Sequence, residues 1–172
     1  CVAPGGFTSA RSAPVLGGAL NVGVPAGYCI DRRASRESGD TAVILMGRCA
    51  DNLSAAPAVI TVSVGQSASG GVMTAGGPTL AAFFRSDQGR ATLSRDGRAG
   101  DVQVVQAVGV GEALLLHIRD RRQGDYWRAV VGIGGRLVTL SATGSDSSPL
   151  PPAEGRKLID LSLAVLQKAN AK

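Results

Sequence analysis

Apolar and polar residues alternate along much of the chain, which is the pattern of strands that bury one face. The segment PAVITVSVG shows it most clearly, with Ile60, Val62 and Val64 on one side and Thr61 and Ser63 on the other. Side chains of a strand point alternately to its two faces, so this segment predicts a half-buried strand with one wet face.

Further strands are predicted on both sides of that segment. YCIDR and AVILMGRC read as two strands, and the polar stretch RASRESGD between them predicts a turn. Later in the chain, VQVVQAVGVG, EALLLHIRD, YWRAVVGIGG and RLVTLSATG follow one another with breaks of a few residues. Such short breaks favour antiparallel neighbours, so these four segments predict a meander.

Two segments have helical spacing instead. In GGPTLAAFFRSDQGR, Pro78 suits a first helical turn, and Leu80, Phe83 and Phe84 precede Gly89, which predicts a short helix. The segment SPLPPAEGRKLIDLSLAVLQKAN begins with prolines and predicts an amphipathic C-terminal helix. Its expected apolar stripe consists of Leu158, Ile159, Leu161, Val165 and Leu166.

These elements predict an α+β fold, in which an antiparallel β-sheet meander carries a short inserted helix and a C-terminal amphipathic helix packed on one face. The chain has 172 residues, 44% of them hydrophobic, which is enough for one sizeable core. We expect a single globular domain over residues 19–172. Residues 1–18 are rich in Gly, Pro, Ser and Ala without apolar periodicity, and they predict a flexible tether.

The order of these elements is similar to the fold shared by PsbP-type and Mog1-type proteins. The segment LNVGVPAGYCID resembles the first strand of that fold with its LPXG-style turn. The last predicted strand and the helix after it resemble the final elements of the fold. The similarity covers residues 19–169. It implies a binding or assembly module rather than an enzyme, with no cofactor.

Cys1 with the tether behind it resembles the start of a mature bacterial lipoprotein, as in small proteobacterial lipoproteins. An arbitrary chain boundary is the alternative. The resemblance implies that a signal peptide has been removed, that Cys1 carries lipid, and that this lipid is the membrane attachment of a domain facing the periplasm. Val2 in place of Asp favours the outer membrane over the inner one.

The other two cysteines, Cys29 and Cys49, form an even pair 20 residues apart in the predicted hairpin. An oxidising envelope compartment would let them form a disulfide, and two buried thiols are the alternative. The chain has one histidine and no Cys-x-x-Cys spacing, so we expect no metal site.

Charge and aromatic content argue against nucleic acid as a partner. The formal net charge is +5, but the basic residues are scattered among 13 acids, and aromatic residues make up only 3% of the chain. A nucleic-acid surface needs clustered basic residues with exposed aromatics.

His117 is the only candidate general base of its type. Alternation in LLLHIRD puts it on the side of Arg119, which predicts a polar position on a sheet face. The alternative function is a small envelope hydrolase that uses His117 with a serine nucleophile.

The segment RDRRQGDYWR predicts a hairpin tip rich in the residue types found at interface hot spots. Trp127 alternates with apolar residues and is expected to face the core, with Tyr126 and Arg128 pointing the other way. We therefore expect Arg121, Arg122, Tyr126 and Arg128 to bind a partner, for which an envelope protein is the candidate. A solvated charged turn is the alternative. The sequence as a whole predicts a lipid-anchored envelope protein with a non-catalytic binding or assembly role.

The substitution Cys1→Ser in the precursor tests the anchor. Without the thiol no lipid can be attached, so we expect the protein to leave the membrane fraction or to remain unprocessed. Fractionation with high-salt and carbonate washes measures this, and a variant that stays in the membrane after both washes contradicts the lipoprotein prediction.

Overall fold

The computed structural model describes residues 12–51, 54–94, 96–145 and 147–171. Cys1 lies outside this part, so its lipidation stays a prediction. Strand β1 (Ser12–Val15) falls within the segment expected to be a tether, but it pairs with β2 (Leu20–Gly23), and Val15 is buried. Residues 12–18 therefore belong to the folded part of the chain.

Seven further strands form one antiparallel sheet, which confirms the α+β class and the meander. They are β3 (Tyr28–Ser38), β4 (Thr41–Arg48), β5 (Val59–Val64), β6 (Val102–Val110), β7 (Ala113–Asp120), β8 (Gly124–Ile133) and β9 (Arg136–Thr143). Their order across the sheet is β3-β4-β5-β9-β8-β7-β6. Two meanders, β3–β5 and β6–β9, are thus joined edge to edge by the pairing of β5 with β9.

The inserted helical segment contains two helices rather than one, α1 (Gly77–Arg85) and α2 (Asp87–Leu93). Ser86 separates them, and its side chain caps α2 by accepting a hydrogen bond from the Gly89 backbone N–H at 3.2 Å. Gly89 was expected to follow the helix, but it lies inside α2. A Cβ at this position would sit 2.0 Å from the carbonyl oxygen of Phe83, so glycine lets the two helices pack closely.

The C-terminal helix α3 (Pro152–Ala169) forms as predicted, but its buried stripe is rotated from the expected one. Leu161, which the pattern assigned to the stripe, is 58% exposed. The buried stripe consists of Gly155, Leu158, Ile159, Ser162, Leu163 and Leu166. The end of the helix is fixed to β2 by Asn170, which accepts from the Asn21 backbone N–H at 2.8 Å and donates to the Asn21 carbonyl at 2.7 Å.

The sheet buries side chains on both faces. On one, which we call the α3 face, alternate residues of the sheet pack with α3 and the β1–β2 pair, among them Ile60, Leu115 and Leu140. On the opposite face, Leu80 and Phe84 of α1 pack over β6–β8. The α3 face therefore has the larger core, and the core on the opposite face is confined to one side of the sheet.

An ion pair ties three loops together at one end of the sheet. Arg136 donates to the Asp40 carboxylate at 2.8 Å and to the carbonyl of Gly65 at 3.0 Å. The other Asp40 oxygen accepts from the backbone N–H and the hydroxyl of Ser67, at 2.8 and 2.9 Å. The backbone hydrogen bond from Ser67, with help from Arg136, lowers the pKa of Asp40 to about 2.

The disulfide predicted from the sequence is present and links Cys29 to Cys49, with 5.2 Å between their Cα atoms. It closes the β3–β4 hairpin at the end away from its turn, where Tyr28 pairs with Arg48.

Replacing both cysteines by serine should lower the free energy of unfolding by about 3 kcal/mol, because the unfolded chain loses a cross-link over a loop of this size. Urea denaturation of the wild type and the double variant measures the difference. The reducing agent dithiothreitol should destabilise the wild type alone, and equal stability of the two proteins without reductant would contradict the expected contribution.

Candidate functional site

Half of the face opposite α3 is left without a covering helix. The helices α1 and α2 pack over β6–β8, and the 3-10 helix Ser69–Ala75 packs on β8 and β9, whereas outward-facing residues of β4 and β5 remain accessible. Val43 of β4 is 38% exposed and Val59 of β5 is 41% exposed. Thr61 and Ser63 point to the same side, as the strand pattern predicted, and both are half-buried.

One row of side chains crosses this open region from strand to strand. Leu45 pairs with Thr61, Thr61 with Ser141, and Ser141 with Arg128. Neighbouring strands in a sheet lie about 4.8 Å apart, so the row offers an apolar group, two hydroxyls and a guanidinium in that order. On the far side, Arg128 pairs with Leu116, which lies in the core beneath α1 and α2.

The row is the floor of a cavity of about 470 Å³, which we call the groove. The rest of its lining consists of Val59, Thr92, Leu93, Ser94, Gln123 and Thr143. Thr92 and Ser94 come from the C-terminal end of α2, so the helix that covers one half of the face forms a wall for the other half. A second cavity of about 280 Å³ shares Val59 and Thr143 with the groove and contains Arg48.

The hydroxyls of the groove fall into two groups. On the wall, Thr92 donates to the carbonyl of Gly89 at 2.6 Å, and the Ser94 hydroxyl accepts from the Arg98 backbone N–H at 3.1 Å. The hydroxyls of Thr61, Ser141 and Thr143 make no hydrogen bond to any residue in the described part of the chain. The floor hydroxyls are therefore available to a bound molecule.

Arg128 is half-buried and forms no ion pair with the described carboxylates. Its guanidinium lies over the Tyr126 ring, 5.7 Å from the ring centre, and Nη2 donates to the Tyr126 hydroxyl at 3.3 Å. Its Nε is shut off from solvent and has no acceptor among the described residues. No Asp or Glu lines the groove or the second cavity within the described residues, so the charged side chains of these two linings are Arg128 and Arg48.

His117 lies on the α3 face, away from the groove. Its ring stacks on Trp127 with 5.0 Å between centres, and its Nε2 is 3.5 Å from a carboxylate oxygen of Asp125. The guanidinium of Arg156 lies 4.8 Å from the centre of the same Trp127 ring. Within the described residues, Nε2 has no hydrogen-bond partner, so no described serine hydroxyl bonds to it. The alternative function, a hydrolase that uses His117, stays a prediction.

The four residues expected to bind a partner lie in different surroundings. Arg121 is exposed, and Arg122 is exposed and pairs with Asp96. Tyr126 points away from Trp127, as alternation predicted, but it is only 3% exposed, so the expectation of a surface position was wrong. The strand is covered on both faces there, and Tyr126 belongs to the core beneath α1 and α2. Arg128 alone of the four lines the groove.

Comparisons with known proteins leave the family open: no protein-family model matches the sequence, and no curated protein matches it. The resemblance to PsbP-type and Mog1-type proteins and the resemblance to bacterial lipoproteins therefore stay predictions. None of the helices described here is both long and apolar enough to cross a bilayer. In the described residues, His, Cys, Asp and Glu side chains do not gather into a group that could hold a metal ion.

Substitutions can test the difference in burial between Tyr126 and Arg121. Tyr126→Ala should lower the free energy of unfolding by about 3 kcal/mol or more, because it empties a packed aromatic site. Arg121→Ala, at an exposed position of the same hairpin, should change it by about 0.5 kcal/mol or less. Urea denaturation of both variants tests this, and a small effect of Tyr126→Ala would contradict its burial.

Proposed function

We propose that this protein is a non-catalytic binding module of an extracytoplasmic compartment and that it binds a small polar ligand in the groove. The observation that carries the proposal is the uncovered half of the sheet, whose floor hydroxyls have no partner within the described residues. Ligand sites are concave, with volumes of about 300–1,000 Å³ and a few placed polar groups. The groove, at about 470 Å³, has that size.

The chemistry of the lining favours binding over catalysis. The groove offers hydroxyls, the amide of Gln123 and the guanidinium of Arg128, all of which orient a ligand by hydrogen bonds. Among its described lining residues there is no imidazole, carboxylate or thiol to take up a proton or attack a substrate. His117 lies on the other face of the sheet and does not serve this groove.

The Cys29–Cys49 disulfide supports the location. Disulfides form and persist outside the reducing cytoplasm, in the periplasm, at cell surfaces and in secreted proteins. The proposal includes a lipid on Cys1 that holds the domain on the bacterial envelope, and the Cys1→Ser experiment tests this part. An envelope protein as partner at Arg121 and Arg122 also stays a proposal, separate from the groove.

The groove can be tested by amide NMR with four probes: glucose, glucuronate, glycerol and glycerol 3-phosphate. We expect at least one of them to shift the backbone amides of Thr61, Ser141 and Thr143 in a saturable way. Ser141→Phe should abolish these shifts because the aromatic ring fills the floor of the groove. Gln103→Phe is the matched control, since Gln103 is an exposed residue of β6 at the edge of the sheet.

The proposal fails if none of the four probes shifts the groove amides of the wild type. It also fails if the shifts persist in Ser141→Phe, or if Gln103→Phe removes them equally while both variants retain the wild-type circular dichroism spectrum.

A further inference from the structure

Arg128 is the one positively charged residue in the described lining of the groove, and its surroundings indicate the kind of ligand that would fit. The residue is half-buried, its Nε is sealed from water without an acceptor, and it forms no ion pair with a described carboxylate. Removing a charge from water is costly unless an opposite charge or hydrogen-bond acceptors replace the lost hydration. Among the described residues, the Tyr126 hydroxyl and ring replace part of that hydration.

The donors that remain on Arg128 can be counted. A guanidinium carries five N–H groups, and one on Nη2 goes to Tyr126 while the Nε–H is sealed. The two N–H groups of Nη1 and the second of Nη2 have no described partner. Two amino groups in a fixed plane match the two oxygens of a carboxylate or phosphate, and such charge-assisted pairs are the stronger kind of hydrogen bond.

Carboxylates lie near the groove, but none of the described ones belongs to its lining. The Asp120 carboxylate accepts from the Gln123 backbone N–H at 3.2 Å, and Asp96 pairs with Arg122. Asp125 lies on the same strand as Arg128 and lines a third cavity that shares Gln123 and Thr143 with the groove, but its carboxylate pairs with Arg119 at 3.2 Å. Arg48 in the adjoining cavity adds a second positive charge, with one amino group donating to the carbonyl of Ala55 at 3.3 Å. The linings of the groove and of the cavity that contains Arg48 therefore attract a negative group and repel a positive one, because their charged side chains are arginines.

We propose that the groove binds a hydroxylated small molecule that carries a carboxylate or phosphate, with this anionic group on the outer amino groups of Arg128. The row from Arg128 through Ser141 to Thr61 then receives the rest of the ligand, whose hydroxyls meet the unpaired hydroxyls of the floor. This proposal rests on the proposed function, because it names the chemical class of ligand for the same groove.

The experiment compares each anionic probe with its neutral counterpart: glucuronate with glucose, and glycerol 3-phosphate with glycerol. In the wild type we expect the anion of at least one pair to bind about tenfold more tightly or better, as charge-assisted hydrogen bonds allow. The pair with the larger ratio identifies the carboxylate or the phosphate as the preferred group. Dissociation constants come from the shifts of the Thr61 and Ser141 amides.

Variants of Arg128 test whether this residue causes the preference for the anionic probe. Arg128→Gln should bring the ratio close to one, and Arg128→Lys should keep part of it, since lysine retains the charge without the planar fork. Arg121→Gln is the matched control, because it removes an exposed arginine of the same hairpin, and it should leave the ratio unchanged. Thermal denaturation checks that each variant is folded.

Failure of this inference can be told apart from failure of the proposed function. If neutral and anionic probes shift the groove equally, the groove binds ligands but the anion preference is wrong. If Arg48→Gln or Arg121→Gln abolishes the preference while Arg128→Gln does not, the assignment to Arg128 is wrong. If no probe shifts the groove, both proposals fail.

Discussion

The pairing of β5 with β9 is the contact on which the rest of this structure depends. Of the strand pairings in the described residues, it alone joins the meander β3–β5 to the meander β6–β9. Ile60 and Val62 of β5 and Leu140 of β9 belong to the same core on the α3 face, so this core continues across the junction. The floor of the groove crosses the same junction, since Thr61 of β5 pairs with Ser141 of β9. A loss of this pairing would divide both the core and the candidate site.

The groove exists because the two faces of the sheet are covered by helices to different extents. The helix α3 and the β1–β2 pair provide a broad cover for one face. On the other face, α1 and α2, of nine and seven residues, cover β6–β8, and the 3-10 helix Ser69–Ala75 packs on β8 and β9, which leaves β4 and β5 open. A sheet face without cover must tolerate water, and here Thr61, Ser63 and Ser141 lie among apolar residues such as Val43 and Val59. The end of α2 forms the edge of the cover and thus a wall of the groove.

Strand β8 is buried on both faces, so the alternation of its residues does not show which side chains are exposed. Trp127 packs beneath α3 and Tyr126 packs beneath α1 and α2, so alternation along the strand does not divide buried from exposed residues there. Arg128 stands where the covered half of the opposite face gives way to the open half. Its position explains why its guanidinium is half-buried, lies over the Tyr126 ring and still lines the groove.

The sequence by itself determined the class of fold, the later meander and the C-terminal helix, because each depends on local periodicity or on two neighbouring strands. It predicted the pairing of Cys29 with Cys49 but left two buried thiols as the alternative, which the structure decided. It also indicated the wet face of β5, through Thr61 and Ser63. Only the tertiary structure decided that β5 joins β9, since a contact between distant segments leaves no local pattern. The same holds for the burial of Tyr126 and for the position of Arg128 beside Ser141. Both depend on which helices cover which strands, and the spacing of residues within one strand does not encode that cover.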